Sequence, residues 1–245
     1  MITSITTRVT TALSVAVGIF LIAIVLPKIL FSGTLPRLAT TQGLELLLTL
    51  LAIVVLGRSK FSEYGFCKPR ASQPPAEGGV RWVRICLTAP LLGMVATPMI
   101  LGLGGTGNPL VKSLSFPQIV LFIWILSSTI EEVFTRGFLQ GHLSVLSGKH
   151  IKLLFLRVEL PVLISALFFA CMHFSLLLAG VDALTMAVTF FFTLSIGLMA
   201  GYLRAKTGSL IPAIAVHLLA NIGGMIGGVV YALVNYMITG KLPGT

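Results

Sequence analysis

The chain has 245 residues, of which 56% are hydrophobic and only 10% are charged, and its mean hydropathy is +1.02. Soluble domains carry about 25% charged residues, so this composition excludes a water-soluble globule and indicates a protein that uses lipid as its solvent. The formal net charge of +10 does not indicate a nucleic-acid binder, because the Lys and Arg residues lie in short connectors rather than on one amphipathic face. We therefore expect the lipid bilayer as a partner and no nucleic acid.

Seven apolar runs are long enough, or nearly so, to cross a bilayer as helices, since a helical span needs about 20 apolar residues. The predicted spans cover approximately residues 11–31, 41–57, 83–104, 117–140, 158–180, 182–203 and 209–235. The first run is longer than the apolar core of a signal peptide, so we expect it to be retained. The expected fold is an all-α polytopic bundle of about seven spans (six to eight), forming a single integral membrane domain over residues 1–245.

Basic residues alternate between the two ends of the predicted spans, and this sets the expected orientation. The connectors after spans two, four and six are the richer ones; they contain Arg58, Lys60, Lys68, Arg70, Arg81, Arg84, Lys149, Lys152, Arg157, Arg204 and Lys206. The positive-inside rule then places the N-terminus in the cytoplasm and the C-terminus on the far side. We expect a multi-pass protein of a prokaryotic plasma membrane.

Small residues at four-residue spacing occur in the last two spans, as Gly197 and Gly201, Gly223 and Gly227, and Gly224 and Gly228. This spacing lets helix backbones approach closely. It predicts tight packing within the chain, with contact between copies of the chain as the alternative, and it leaves the oligomeric state open.

The fourth span contains two adjacent carboxylates and a cation, in the sequence Glu131-Glu132-Val-Phe-Thr-Arg136. Ionisable groups inside a bilayer are costly and are candidates for function. Glu132 and Arg136 have the spacing and the order of an intrahelical ion pair. Glu131 lies about 100° around the helix from Glu132, so we expect it to be less neutralised and to face a cavity.

Two further spans carry side chains of the catalytic type. The fifth contains Phe169 and His173, and the seventh contains His217 and Asn221, each pair at i and i+4 and hence on one helix face. A single histidine in such a span is most often a hydrogen-bonded packing residue. Polar groups of this kind on three different spans argue against that interpretation and predict a common site.

A desolvated Glu beside a neutral His can take a proton from water, and the hydroxide can attack a carbonyl. A second His and an Asn amide can donate hydrogen bonds to the developing oxyanion. These residue types therefore predict a non-covalent hydrolase that needs no cofactor. Two histidines and a glutamate could instead ligate zinc, and spacing alone does not exclude this, although the chain lacks a His-Glu-x-x-His motif.

The order and spacing of these motifs, together with the run from Gly197 to His217, resemble the CPBP family of intramembrane glutamic proteases, which includes the type II CAAX prenyl endopeptidases. The resemblance covers about residues 117–225. It implies that Glu131 and His173 activate the water, that His217 and Asn221 form the oxyanion site, and that Glu132, Arg136 and Phe169 support the geometry. It also implies independence of metal ions. Thr135 departs from the pattern, since many members have an aromatic residue before the Arg.

The substrate expected from this resemblance is a peptide or a membrane-anchored protein, and whether it is prenylated stays open. The alternatives are a non-catalytic membrane scaffold or bacteriocin-immunity protein, and a proton-coupled transporter. Two other polar residues have simpler interpretations. Glu45 is expected to be interfacial or paired, with a place on the substrate path as the alternative, and His142 is expected to be solvated or to face lipid headgroups.

Overall fold

The computed structural model describes residues 4–57, 60–70, 82–153 and 156–241, and it contains seven helices of membrane-spanning length and hydropathy. The helices are α1 (Ile5–Leu30), α2 (Thr34–Gly57), α3 (Trp82–Gly102), α4 (Phe116–Leu146), α5 (Leu160–Ala179), α6 (Ala183–Thr207) and α7 (Ile211–Thr239). The predicted all-α polytopic bundle is confirmed, and the protein is an integral, multi-pass membrane protein. Two of the basic residues used for orientation, Arg58 and Arg81, lie outside the described residues.

Several helix boundaries differ from the predicted ones, including the start of α1, which lies at Ile5 rather than near residue 11. Helix α2 begins at Thr34 rather than near residue 41, because polar residues such as Arg37 lower the local hydropathy without interrupting the helix. Helix α4 continues to Leu146 rather than ending near residue 140. Helix α5 begins at Leu160 rather than at residue 158, because the residues before it belong to a strand.

A short antiparallel hairpin that the sequence did not predict lies between α4 and α5. Its strands are β1 (His150–Leu153) and β2 (Leu156–Glu159), with Ile151 opposite Val158. Both of these residues are β-branched and favour the extended backbone. The hairpin lies at the end of the bundle where α4 ends and α5 begins.

The exterior of the bundle is apolar, as expected for a surface that contacts lipid. Leu47, Leu87, Phe191 and Met237 are among many large apolar side chains that are exposed. Buried side chains instead include polar and charged ones, such as Arg136 with no exposed surface. A soluble fold rarely exposes so many large apolar side chains together.

Glycines bring α3 and α7 into backbone contact. A Cβ atom on Gly223 would lie 2.1 Å from the carbonyl oxygen of Pro90, and one on Gly93 would lie 2.2 Å from that of Ala220. In α6, Gly197 and Gly201 pack against α5, where a Cβ would lie 3.1 Å from Cα of Ala166 and 2.9 Å from Cγ1 of Val162. The predicted tight packing within the chain is confirmed for these glycines.

One polar cluster joins two connections, α3 to α4 and α5 to α6, at the end of the bundle where α3 ends and α6 begins. Asp182 caps α6 by accepting from the backbone N–H and the hydroxyl of Thr185, and it also accepts from the N–H and hydroxyl of Thr106. These hydrogen bonds favour the ionised carboxylate, so the pKa of Asp182 lies below its ordinary value.

The expectation for His142 is wrong. It is buried near the end of α4, and its Nδ1 lies 3.2 Å from the hydroxyl of Tyr64. Tyr64 belongs to a single 3-10 turn, Phe61–Tyr64, that follows α2 and folds back on the bundle. A connector residue can thus be buried by a segment that is distant in sequence.

We expect Gly223→Ala to destabilise the bundle, because the new methyl group meets the backbone of Pro90, which no side-chain rotation can move. Overpacking of this kind costs about 1–3 kcal/mol. Thermal unfolding in detergent measures the effect. Gly18→Ala is the control, since a Cβ on Gly18 meets nothing within 4 Å; an unfolding temperature for Gly223→Ala equal to that of this control contradicts the packing argument.

Candidate active site

A cavity of about 920 Å³ lies between the helices and is lined by residues from all seven of them. The four residues predicted to be catalytic, Glu131, His173, His217 and Asn221, all line this cavity. They come from α4, α5 and α7. The fold therefore brings the predicted set together, whereas Glu132 and Arg136 lie behind the cavity wall with no exposed side-chain surface.

Glu131 lines the cavity, and its two carboxylate oxygens have different surroundings. Its Oε1 accepts a hydrogen bond of 2.5 Å from the hydroxyl of Ser127, one turn earlier in α4. Its Oε2 lies 3.9 Å from Nε2 of His217, and no residue in the described part of the chain hydrogen-bonds to it. Glu131 thus has one fixed oxygen and one oxygen that can accept a proton.

Glu132 is neutralised inside the protein. Its Oε1 lies 3.1 Å from Nη1 of Arg136 and 3.0 Å from Nδ1 of His217. Breaking such a buried pair by removing one partner leaves an uncompensated charge and costs about 3–5 kcal/mol. The contact links α4 to α7 and fixes the orientation of the His217 ring, so that Nε2 points toward Glu131.

Phe169 lies among the cation and the two histidines. Its ring is 4.4 Å from Cζ of Arg136, a cation–π distance. It also makes edge contacts with the rings of His173 and His217, with centroid distances of 4.9 Å and 5.3 Å. Phe169 has no exposed surface, and it separates Arg136 from the cavity while holding both imidazoles at its edge.

The backbone at His173 fixes one tautomer of its ring. The α-helical part of α5 ends at Met172, and His173 opens a 3-10 stretch that runs to Ala179. Nδ1 of His173 lies 2.9 Å from the carbonyl oxygen of Phe169 and must donate to it. When the ring is neutral, Nε2 is then unprotonated and can accept a proton.

Asn221 faces α4. Its Nδ2 donates to the hydroxyl of Ser128 at 3.1 Å, and the carbonyl oxygen of Ile123 lies at a longer 3.4 Å. An amide nitrogen carries two hydrogens, so the hydrogen that makes the long contact is available to a better acceptor in the cavity.

At Thr135 the hydroxyl donates to the carbonyl oxygen of Glu131 and accepts from Arg136, which ties the Arg to the backbone at Glu131.

Several polar residues at this site were not predicted. Ser127 could have been found, because it precedes Glu131 by four residues on one helix. Ser128 carries no such signal. Glu45 is not interfacial: only 6% of it is exposed, it lines the cavity, and it forms no salt bridge with any described residue. Gln42, one turn earlier, lines the cavity beside it.

Within the described ranges no three His, Cys, Asp or Glu side chains are grouped as metal ligands. His217 is committed to Glu132 through Nδ1, and His173 to a carbonyl oxygen.

We expect Arg136→Met to destabilise the protein strongly, by about 3–5 kcal/mol, because it leaves Glu132 buried and unneutralised. The double variant Glu132→Gln/Arg136→Met removes both charges and should recover much of that loss. Thermal unfolding of the two single variants and the double variant forms a double-mutant cycle. Additive effects of the two changes would show that the pair does not act as a unit.

The family model described as type II CAAX prenyl endopeptidase Rce1-like matches residues 113–223. This range contains every residue predicted for the site, from Glu131 to Asn221. No curated protein and no solved structure matches the chain. The match supports CAAX-type protease activity in an intramembrane protein in general terms. Residues 113–223, which carry the site, are thus similar to the type II CAAX prenyl endopeptidase Rce1-like family.

Proposed function

We propose that this protein is an intramembrane endopeptidase of the glutamic type, which hydrolyses a peptide bond with a water molecule activated by Glu131 and His173. One observation carries the proposal: Glu131, His173, His217 and Asn221, from three different helices, line the same cavity. A bundle that needed these groups only for packing would have no reason to direct all four to one space.

The first step is proton transfer from water. Oε2 of Glu131 has no hydrogen-bond partner among the described residues, and Nε2 of His173 is the free nitrogen of its ring. A water molecule held between these two acceptors loses a proton to Glu131 as its oxygen attacks the scissile carbonyl carbon. A general base positioned in this way contributes about 10²–10⁴-fold to the rate.

The attack forms a tetrahedral intermediate with a negative oxygen, which Asn221 and His217 stabilise. Asn221 supplies the amide hydrogen now making the long contact with Ile123. His217 donates from Nε2 when its ring carries both protons, because Nδ1–H is committed to Glu132. Glu131 lies 3.9 Å away and can share the proton taken from water with this nitrogen.

The intermediate collapses when the carbon–nitrogen bond breaks and the proton moves to the leaving amine. Water is consumed, and a carboxylic acid and an amine are released. Glu132, Arg136 and Phe169 are positioning residues in this scheme. They hold the two imidazoles and the helix backbone at Glu131, and they do not touch the reacting atoms.

The substrate that suits this cavity is an extended, largely apolar peptide segment that enters from the bilayer. The volume of about 920 Å³ is at the upper end of the range for small-molecule sites, so several residues can be accommodated. We propose a membrane-associated protein or peptide as the substrate, with a prenylated C-terminal tail as one form of it.

In this proposal no metal ion takes part in the reaction. The N-terminus of the protein lies in the cytoplasm.

Glu131→Gln is expected to reduce kcat by about 10²–10⁴-fold, because the amide cannot take the proton. Cleavage of fluorogenic peptides, prenylated and plain, by purified protein in liposomes measures this, with and without a strong chelator. His173→Ala should show a similar loss, and Glu63→Gln, which alters an exposed carboxylate paired with Lys60, serves as the control. Loss of activity on chelation would assign these residues to a metal site. No cleavage by any form would favour a non-catalytic scaffold.

Asn221→Ala is expected to lower kcat by about 10²–10³-fold with little change in KM, since the lost hydrogen bond forms only in the transition state. Asn235→Ala on the same helix is the matched control, because Asn235 is partly exposed and its side chain donates to Thr239 and Lys241 near the C-terminal end of α7. A rise in KM at constant kcat would instead assign Asn221 to substrate binding.

A further inference from the structure

One face of α2 carries three polar residues that are buried among the helices. Gln42, Glu45 and Thr49 lie at i, i+3 and i+7, and only 5%, 6% and 0% of them is exposed. The spacing puts them on one side of the helix. Polar groups at this depth are costly in a membrane protein and indicate a function.

The two residues nearer the start of α2 line the cavity, and each has a buried acceptor oxygen. Nε2 of Gln42 donates to the carbonyl oxygen of Phe122 at 2.7 Å, which fixes the amide and leaves its Oε1 as the free atom. Among the described residues, neither Oε1 of Gln42 nor Oε1 of Glu45 has a hydrogen-bond partner. Both residues line the cavity that contains Glu131.

No cation of the cavity wall pairs with Glu45 within the described part of the chain. Lys28, Arg37 and Lys112 also line the cavity, but all three lie where α1 ends, where α2 begins or in the link before α4. Arg37 is eight residues before Glu45, about 12 Å along the helix, and its Nε donates to the carbonyl oxygen of Phe31. The inner wall of the cavity thus contains acceptors and carboxylates, and its cations lie toward one end.

We propose that Glu45 and Gln42 form a specificity subsite of this cavity, which binds a cationic side chain, lysine or arginine, of the peptide substrate close to the scissile bond. The inference rests on the proposed peptidase function, and it names a feature of the substrate. Glu45 supplies the opposite charge, and the Gln42 oxygen accepts a second hydrogen bond from the same ammonium or guanidinium group.

Charge explains why a cation fits this subsite better than other groups. The side chains of Glu45 and Glu131 line one cavity, so a positive group beside Glu45 compensates a buried carboxylate that an apolar group would leave without a counter-ion. An acidic side chain would add a further negative charge. A site built to hydrogen-bond a substrate group discriminates strongly against an analogue that lacks it, because its own polar atoms then stay unpaired.

The test uses pairs of fluorescein-labelled octapeptides of leucine and alanine that differ at a single position, lysine in one and norleucine in the other. The position is moved along the peptide. For the wild type we expect the lysine peptide to exceed its norleucine partner in kcat/KM by about tenfold or more at one position near the cleaved bond. In Glu45→Gln this ratio should fall to about 1. A wild-type ratio near 1 at every position overturns the proposal, as does a ratio that Glu45→Gln leaves intact.

Binding of the same peptides separates this inference from the proposed function. Fluorescence anisotropy with Glu131→Gln protein in liposomes gives the lysine-to-norleucine affinity ratio without any cleavage, and adding Glu45→Gln to that background should remove the preference. Lysine-selective binding without cleavage by the wild type would support the subsite and contradict the peptidase. Cleavage by the wild type without any preference for lysine would support the peptidase and contradict the subsite. If Glu45→Gln does not fold, the lysine-to-norleucine affinity ratio of protein that retains Glu45 decides whether the subsite exists.

Discussion

The arrangement of the site depends on the carboxylate of Glu132, which is fully buried and shared between Arg136 and His217. In a low-dielectric interior an ion of this kind must be neutralised and hydrogen-bonded, or the protein is strongly destabilised. Satisfying it requires α7 to dock on α4 at one register, with Nδ1 of His217 toward Glu132. The other ring nitrogen then points toward Glu131. A stability requirement thus orients a residue proposed to be catalytic.

The second constraint is the packing around Phe169. Its ring contacts Arg136 on one side and the edges of His173 and His217 on the other. This couples the third helix of the site, α5, to the same ion pair. Because the backbone carbonyl of Phe169 also receives Nδ1–H of His173, one residue determines both the position and the tautomer of that histidine. The Gly197 contact supports this arrangement from outside, since a Cβ there would lie 2.8 Å from Nη2 of Arg136.

The sequence was sufficient to predict the seven helices, because a membrane span is recognised by its own length and hydropathy, whatever helices surround it. The cost of placing charged groups in lipid also pointed to Glu131, Glu132 and Arg136. The i, i+4 spacing correctly predicted the ion pair between Glu132 and Arg136. Residue spacing did not predict contacts between segments that are far apart in the sequence. Nothing in the sequence near Glu45 indicates that it is buried in the cavity of Glu131, and nothing near His142 indicates that Tyr64 covers it.

Helix α4 shows a further limit of periodicity. Its residues Ile119–Ser127 and Val133–Leu139 form π-helical turns on either side of the α-helical Ser128–Glu132. A π turn takes up more residues than an α turn, so faces that are assigned with 3.6 residues per turn shift along such a helix. The i, i+4 relation still holds for Ser127 with Glu131 and for Glu132 with Arg136, but which neighbour each face meets depends on the wide turns. Such turns are frequent at functional sites, and here they flank the two carboxylates.

The three carboxylates of the site differ in how many partners each has, and this difference separates their roles. Glu132 is bound to Arg136 and His217 and has no exposed side-chain surface, so it cannot exchange a proton with a substrate. Glu131 has one oxygen held by Ser127, and the other lies 3.9 Å from Nε2 of His217, which suits a group that must take up and release a proton. Each of the three has one oxygen without a partner among the described residues, but Glu45 has no salt bridge there either, which suits a group that binds a positive ligand. Three residues of one chemical type thus support structure, catalysis and selection of substrate because the helices around them supply different numbers of donors.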